Sequence, residues 1–144
     1  MERIEELSDE AADLGIALHE ENDLSVDALY MEVNGAEHIM LRRTGTCAER
    51  TCWLAEELGH HHNRPARVLR YDTADDWRAE AQARRWAHNK LLTVDAIRTA
   101  AANTDDIYEI AFTLGVSVPF LREAIEDYEA RGLWDARFIS DCDE

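Results

Sequence analysis

The chain has 144 residues and a mass of 16.5 kDa, which is the size of one compact domain with at most a small appendage. Its 31 acidic and 15 basic side chains give a net charge of −16 at pH 7, which opposes binding to nucleic acids and to anionic membranes. The hydrophobic fraction of 46% argues against intrinsic disorder, and the short apolar runs predict neither a membrane span nor a secretory signal. Three cysteines, an odd number, favour a reduced, cytoplasmic protein.

Hydrophobic periodicity and capping residues predict one helix, three short strands and then five further helices. The predicted helices cover residues 4–14, 47–62, 73–92, 94–102, 105–114 and 118–131, and the predicted strands cover 16–19, 28–33 and 36–43. Residues 67–71 fit either a short strand or an extended loop. This order predicts an α+β fold with a small antiparallel sheet near the N-terminus, a central helix and a C-terminal helical bundle. We expect a core over residues 1–92 and a helical extension over 93–144 that packs on it, with an acidic tail from about 132.

A hairpin is predicted around Asn34-Gly35, the dipeptide that favours a two-residue turn. In that register Met31 and His38 share one face, and Glu32 lies opposite Glu37, where two like charges are mildly unfavourable. The helix that follows is predicted to begin near Cys47, because Thr46-Cys47-Ala48-Glu49 has the spacing of a capping box.

The chemistry concentrates on this central helix. Glu56 and His60 are four residues apart, so both can face one metal ion. Glu57 lies about 100° further round the helix, where it could reach a water molecule bound to that ion. Glu80 is the candidate third ligand, because it shares a predicted stripe with small residues, where a carboxylate must be paired or bound. The alternative is two ordinary pairs, Glu56 with His60 and Glu80 with Arg84.

Other histidines and cysteines carry weaker signals. His61 lies one turn after Glu57 and is a candidate for a supporting role beside the metal site, whereas His62 is expected to face solvent. Three further histidines have no metal-like spacing and are expected at the surface: His19, His38 and His88. The cysteines are expected to be small buried residues or tail residues rather than a thiolate site: Cys47, Cys52 and Cys142.

The segment Ala55-Glu56-Glu57-Leu58-Gly59-His60, followed by Glu80-Ala81-Gln82-Ala83-Arg84-Arg85-Trp86-Ala87, resembles the ImmA/IrrE metallopeptidases, especially the small members found in phages and mobile elements. The resemblance covers roughly residues 14–128. It implies a zincin-like minimal fold and a zinc endopeptidase that cleaves a regulatory protein, often a helix-turn-helix repressor. In such a protein His60 and Glu80 are metal ligands, Glu57 polarises the attacking water, and the helix lies beneath an edge strand.

The main departure from this family is Glu56, where the best-known members carry histidine and phage-type relatives carry glutamate. Two carboxylates and one imidazole form a harder, more anionic site than the usual zinc ligands. Three outcomes remain open: weak zinc binding, replacement by another divalent ion, or loss of catalysis.

The substrate is expected to bind in extended form along residues 39–43 by strand addition, with Ile39, Arg42 and Arg43 as the contacting residues. The C-terminal helices have the apolar rhythm of a helix-turn-helix. From Asn103 onward, however, the chain contains eleven acidic residues and only three arginines, so DNA binding is not expected.

A binding module that retains the peptidase fold and regulates a repressor, toxin or host protein is the alternative from another functional class. The oligomeric state stays open, although the acidic surface disfavours self-association.

Overall fold

The protein is described here by a computed structural model over residues 2–63 and 74–133, with side chains from 77 onward in the second range. The helices are α1 (Arg3–Asp13), α2 (Cys47–His62), α3 (Ala74–Leu91), α4 (Val94–Ala101), α5 (Ile107–Leu114) and α6 (Val118–Ala130). The strands are β1 (Ala17–Glu21), β2 (Ala28–Val33) and β3 (Ala36–Arg42). The α+β class and the order of elements are therefore confirmed. Residues 67–71, most of the acidic tail and Cys142 lie outside the described residues.

The chain divides into two compact units, Met1–Ala87 and His88–Glu144. The division falls within α3, somewhat before the boundary predicted after residue 92. In the first unit, α1 packs against α2 and β1, and α2 packs against β2 and β3. The core side chains of this unit include Leu7, Ile16, Ile39, Leu41, Leu54 and Leu58, each less than 5% exposed.

The hairpin has the predicted register. Asn34 and Gly35 both have positive φ, 53° and 83°, as a type I′ turn requires, and Glu32 lies opposite Glu37. The Glu37 carboxylate has two partners that the sequence did not reveal. The Tyr30 hydroxyl donates a hydrogen bond to it at 2.6 Å, and the ring nitrogen Nδ1 of His61 contacts the same oxygen.

The prediction of an antiparallel sheet is wrong, because the sheet is mixed with strand order β1-β3-β2. β3 is antiparallel to β2 but parallel to β1. The chain crosses the C-terminal end of β3 between β1 and β2, and two backbone bonds of 2.9 Å hold the crossing segment: Arg43 N–H to Glu21 O and Arg42 N–H to Asp27 O. Strand direction was not predictable, since alternation of apolar residues is the same for both directions.

The helix ends follow the predicted capping chemistry. Gly15 has φ +79° and ends α1, with its N–H bonded to the carbonyl of Ala12. The capping box at Thr46 and Glu49 is present, with bonds of 3.1 Å and 3.0 Å. Ser117 caps α6 as expected. Among the described residues, no helix is long and apolar enough to cross a membrane.

The second unit has a buried polar contact where a surface residue was predicted. His88 is 4% exposed, so its assignment to the surface is wrong. Its Nδ1 lies 3.2 Å from Oδ2 of Asp127, and Arg131 donates a hydrogen bond of 2.9 Å to the same oxygen. The apolar neighbourhood of Phe120, whose ring packs edge-on against His88, explains why an isolated histidine in the sequence lies inside.

Asp127 generates a prediction about acid stability. Burial raises the pKa of its carboxyl, but the bonds and charges of His88 and Arg131 more than reverse this and leave the pKa lowered. A lowered pKa in the folded state stabilises the protein above the unfolded pKa of about 3.9, and this stabilisation is lost as pH falls below that value. We therefore expect Asp127→Asn to reduce the free energy of unfolding near pH 6, and the gap to wild type to narrow as pH falls towards 3.

Urea unfolding at several pH values measures this gap. Asp95→Asn is the matched control, because the Asp95 side chain is 95% exposed and belongs to the same unit. A gap that is constant across this pH range would contradict the role assigned to the Asp127 charge.

Candidate functional site

The predicted partners His60 and Glu80 meet in the structure. Nε2 of His60 lies 2.9 Å from Oε2 of Glu80, and the two side chains are only 8% and 16% exposed. Arg84 also lies near the second carboxylate oxygen of Glu80, at 3.7 Å. The carboxylate of Glu80 therefore faces inward and contacts the imidazole of His60. Its other oxygen pairs with Arg84 on the same helix, so both contacts are present together.

A close approach of two helices explains why these residues meet. Gly59 of α2 faces the backbone of Ala83 of α3, and a Cβ atom at Gly59 would overlap the Ala83 carbonyl group. Ala83 and Ala87 are fully buried, as expected for the small-residue stripe that was predicted to include Glu80. Glycine on one helix and alanine on the other bring the backbones together, so the adjacent His60 can reach the carboxylate one turn before Ala83.

Glu57 is a carboxyl group at the site with a strongly raised pKa. It is half-buried, and burial together with the negative charges of Glu56 and Glu80 raises its pKa to about 7 against the opposing charge of His60. A hydrogen bond from the backbone of Tyr30 in β2 also opposes the shift. Glu57 therefore interacts with both the His60 imidazole and the backbone of β2.

The imidazole has the complementary perturbation. Burial lowers the pKa of His60, but the hydrogen bond to Glu80 and the charges of Glu57, Glu80 and Glu56 raise it by more. Four titratable groups on two helices thus act on one another. Strong coupling of an acid cluster with a single base is typical of functional sites, although structural ion pairs also produce it.

The donor set suits a divalent ion in kind, because carboxylate and imidazole both bind zinc. In the described residues, however, no group of three or more histidine, cysteine, aspartate or glutamate side chains is arranged to hold a metal ion. His60 and Glu80 are in contact, and Glu56 is close enough to raise the pKa of His60. An ion that binds both side chains would have to displace the direct contact between His60 and Glu80. The fit is therefore partial, and the metal stays a prediction.

The expected substrate strand does not have the expected position. β3 is the middle strand and is paired along both edges, so strand addition along residues 39–43 is wrong. Ile39 is fully buried. Arg42 pairs with Asp27 at 2.9 Å, and Arg43 donates a hydrogen bond of 3.2 Å to the carbonyl of Glu20. Arg42 thus binds the segment that crosses the end of β3 and Arg43 binds the end of β1, and contact with substrate stays a prediction for them.

The histidines after His60 point to different partners. His61 binds Glu37 of β3, so it links the helix to the hairpin. His62 packs its ring against Trp86 of α3, with ring centroids 4.6 Å apart. Sequence reasoning missed Glu37 and Tyr30 here, although a signal existed: Glu37 precedes Ile39 by two positions and therefore shares the inner face of the strand.

No protein-family model, no curated protein and no solved structure shows a significant match to this chain.

The close contact between α2 and α3 predicts the sign of the change in unfolding free energy for Gly59→Ala. In a solvent-exposed helix, Gly→Ala stabilises by about 1 kcal/mol. At Gly59 the added methyl group would overlap the Ala83 backbone, and overpacking of this kind costs about 1–3 kcal/mol. We therefore expect Gly59→Ala to lower the free energy of unfolding, measured by urea titration. Ala81→Gly is the control at an exposed helical position, where the loss should be about 1 kcal/mol; a stabilised Gly59→Ala would disprove the close approach.

Proposed function

We propose that this protein is a metal-dependent endopeptidase whose site lies between α2 and α3 of the first unit. The observation that carries the proposal is the 2.9 Å contact between His60 and Glu80, since it joins two separate helices at the point where both predicted ligands are needed. The resemblance of these two segments to the ImmA/IrrE metallopeptidases supports the same conclusion. Residues Glu56, His60 and Glu80 are the proposed ligands of one divalent ion, zinc in the first instance.

The protein side chains divide the work of peptide hydrolysis. A bound zinc ion supplies Lewis-acid polarisation of the scissile carbonyl and of a water molecule. Glu57 accepts a proton from the attacking water and passes it to the leaving amine, as a general base and then a general acid. Its half-buried position next to His60 limits competing contacts with bulk water.

The edge of β2 is the better candidate for substrate binding now that β3 is known to be central. β2 is an edge strand of the described sheet, it packs against α2, and its Tyr30 backbone bonds with Glu57. An extended peptide paired with this edge would lie beside the proposed general base. The backbone of β2 would orient the peptide, and His61, held by Glu37, would support the adjoining end of the helix.

Charge favours a basic protein as substrate. The net charge of −16 attracts positively charged partners and accelerates their association. A DNA-binding repressor has such a basic surface, and it is the substrate class implied by the family resemblance. We propose that cleavage takes place in the cytoplasm, where such a repressor acts.

A binding module without catalysis is the second candidate. The observation in its favour is that no group of three metal-ligating side chains is formed in the described residues, together with glutamate in place of histidine at position 56. In this alternative the contact between His60 and Glu80 is structural and holds α2 to α3. The edge of β2 then binds the partner protein, and no peptide bond is hydrolysed.

Metal content separates the two candidates. We expect protein purified without a histidine tag to bind one Zn²⁺ per chain, measured by isothermal titration and elemental analysis. His60→Ala and Glu80→Ala should weaken Zn²⁺ binding by roughly tenfold or more, because each removes a ligand. Arg84→Gln is the matched control, since it changes a neighbour of Glu80 that cannot be a ligand. Absence of stoichiometric Zn²⁺, Mn²⁺ or Co²⁺ binding by the wild type would leave only the binding module.

Catalysis requires a separate variant. Glu57→Gln should keep the fold and the bound ion but reduce peptide hydrolysis by roughly 10²-fold or more, which is the usual size of a lost general base. Cleavage of purified helix-turn-helix repressors, followed by mass spectrometry, measures the rate. Glu21→Gln, at an exposed position in β1, is the control for a change of charge alone. Equal rates for Glu57→Gln and the control would rule out the assigned role.

A further inference from the structure

The outer face of the sheet carries a cluster that the proposed peptidase does not use. Ile39 and Leu41 of β3 are fully buried against the helices, so the alternate residues His38 and Met40 point to the opposite face. That face is accessible, since Val33, which shares it, is 49% exposed.

Two histidines on this face are in direct contact. Nε2 of His19 in β1 lies 3.0 Å from Nδ1 of His38 in β3, and the ring planes differ by only 26°. Two nitrogen ligands on one tetrahedral ion, each about 2.0–2.1 Å from it, lie about 3.3 Å apart. The observed separation is close to that value, so a small rotation of the two rings would direct both lone pairs to one ion.

Two methionines adjoin these histidines in the sheet lattice. Met40 is the direct partner of His19 across the β1–β3 pair, and Met31 is the direct partner of His38 across the β2–β3 pair. Side chains opposite each other on neighbouring strands have Cβ atoms about 4.5–5.5 Å apart. All four side chains are half-buried, which leaves them partly accessible to an ion from solvent.

We propose that the outer face of the sheet is a binding site for one Cu⁺ ion, with His19, His38, Met31 and Met40 as ligands. Two imidazoles and two thioethers form a soft donor set, which favours Cu⁺ over hard cations such as Mg²⁺ or Ca²⁺. The thioether chains are flexible and can adapt to the ion. Apolar neighbours on the same face, including Leu29 at 38% exposure and Val33, would shield the ion from water.

This face is distinct from the proposed peptidase site. Glu37 and Ile39 of β3 point to the side where α2 lies, whereas His38 and Met40 point away from it. Copper binding at the outer face is therefore independent of whether His60 and Glu80 hold zinc, and the two proposals can fail separately.

The test uses the full chain with Cys47→Ser and Cys142→Ser, because free thiolates bind Cu⁺ strongly and Cys47 is exposed. Cys52 is retained because it is buried, with 3% exposure. Cu⁺ is titrated under anaerobic conditions in competition with bicinchoninate, and X-ray absorption at the copper edge identifies the ligands. We expect one Cu⁺ per chain with nitrogen and sulfur ligands.

Matched variants assign the site. Met31→Leu with Met40→Leu preserves side-chain volume and should weaken Cu⁺ binding by roughly tenfold or more; His19→Gln should do the same. His62→Gln and His60→Ala should leave the affinity unchanged, since neither residue lies on this face. Failure of the parent protein to compete for one equivalent of Cu⁺ would overturn the proposal. Equal affinity of the double methionine variant and the parent, or loss of binding only in His60→Ala, would overturn it too.

Discussion

The close approach of α2 to α3 at Gly59 and Ala83 is the constraint on which the candidate site depends. A side chain at position 59 would overlap the Ala83 backbone and push the two helices apart, and this displacement would lengthen the 2.9 Å contact between His60 and Glu80. The site is therefore built by backbone proximity first and by side-chain chemistry second. A glycine within a helix lowers helix stability by about 1 kcal/mol, and close packing with the polar contact beside it offsets this cost.

The polar contact in turn solves an electrostatic problem. Glu56, Glu57 and Glu80 place three carboxyl groups around one imidazole in a partly buried space, and burial of unpaired charge is costly. The raised pKa values of Glu57 and His60 show how the cluster responds: protons are held more tightly at both groups. A bound cation would relieve the same repulsion in another way, by replacing protons. Both the protonated cluster and the cation-bound cluster explain why three carboxyl groups can lie around one imidazole. Only the cation-bound cluster would be able to hydrolyse a peptide bond.

Local signals in the sequence were sufficient to predict the helices and strands and most of the residues at which they begin and end. Asn34-Gly35 encoded the turn because few dipeptides adopt two successive positive φ angles, and Thr46 with Glu49 encoded the start of α2. The contact of Glu80 with His60 was also predictable, because a carboxylate beside buried alanines needs a partner.

Relations between distant segments were less accessible to sequence reasoning. The parallel pairing of β1 with β3 depends on how residues 22–27 cross the end of β3. Arg42 binds Asp27 at the end of that crossing, and Arg43 binds Glu20 and Glu21 at the end of β1, just before it. Before the crossing was known, both arginines resembled exposed cations available to a ligand. His88 was misplaced for a similar reason, since its partner Asp127 is distant in sequence and nothing local indicates a buried pair.

Successive residues of β3 point to opposite faces of the sheet, so the two faces of this strand carry different functional groups. The residues that face the helices are Glu37, Ile39 and Leu41. Glu37 contacts His61 and accepts a hydrogen bond from Tyr30, and Ile39 and Leu41 are buried. The residues that face away supply His38 and Met40. A one-residue change in register would exchange these sets and would bury an imidazole and a thioether while exposing the core. The Asn34-Gly35 turn, by fixing that register, determines both the support of α2 and the composition of the outer face.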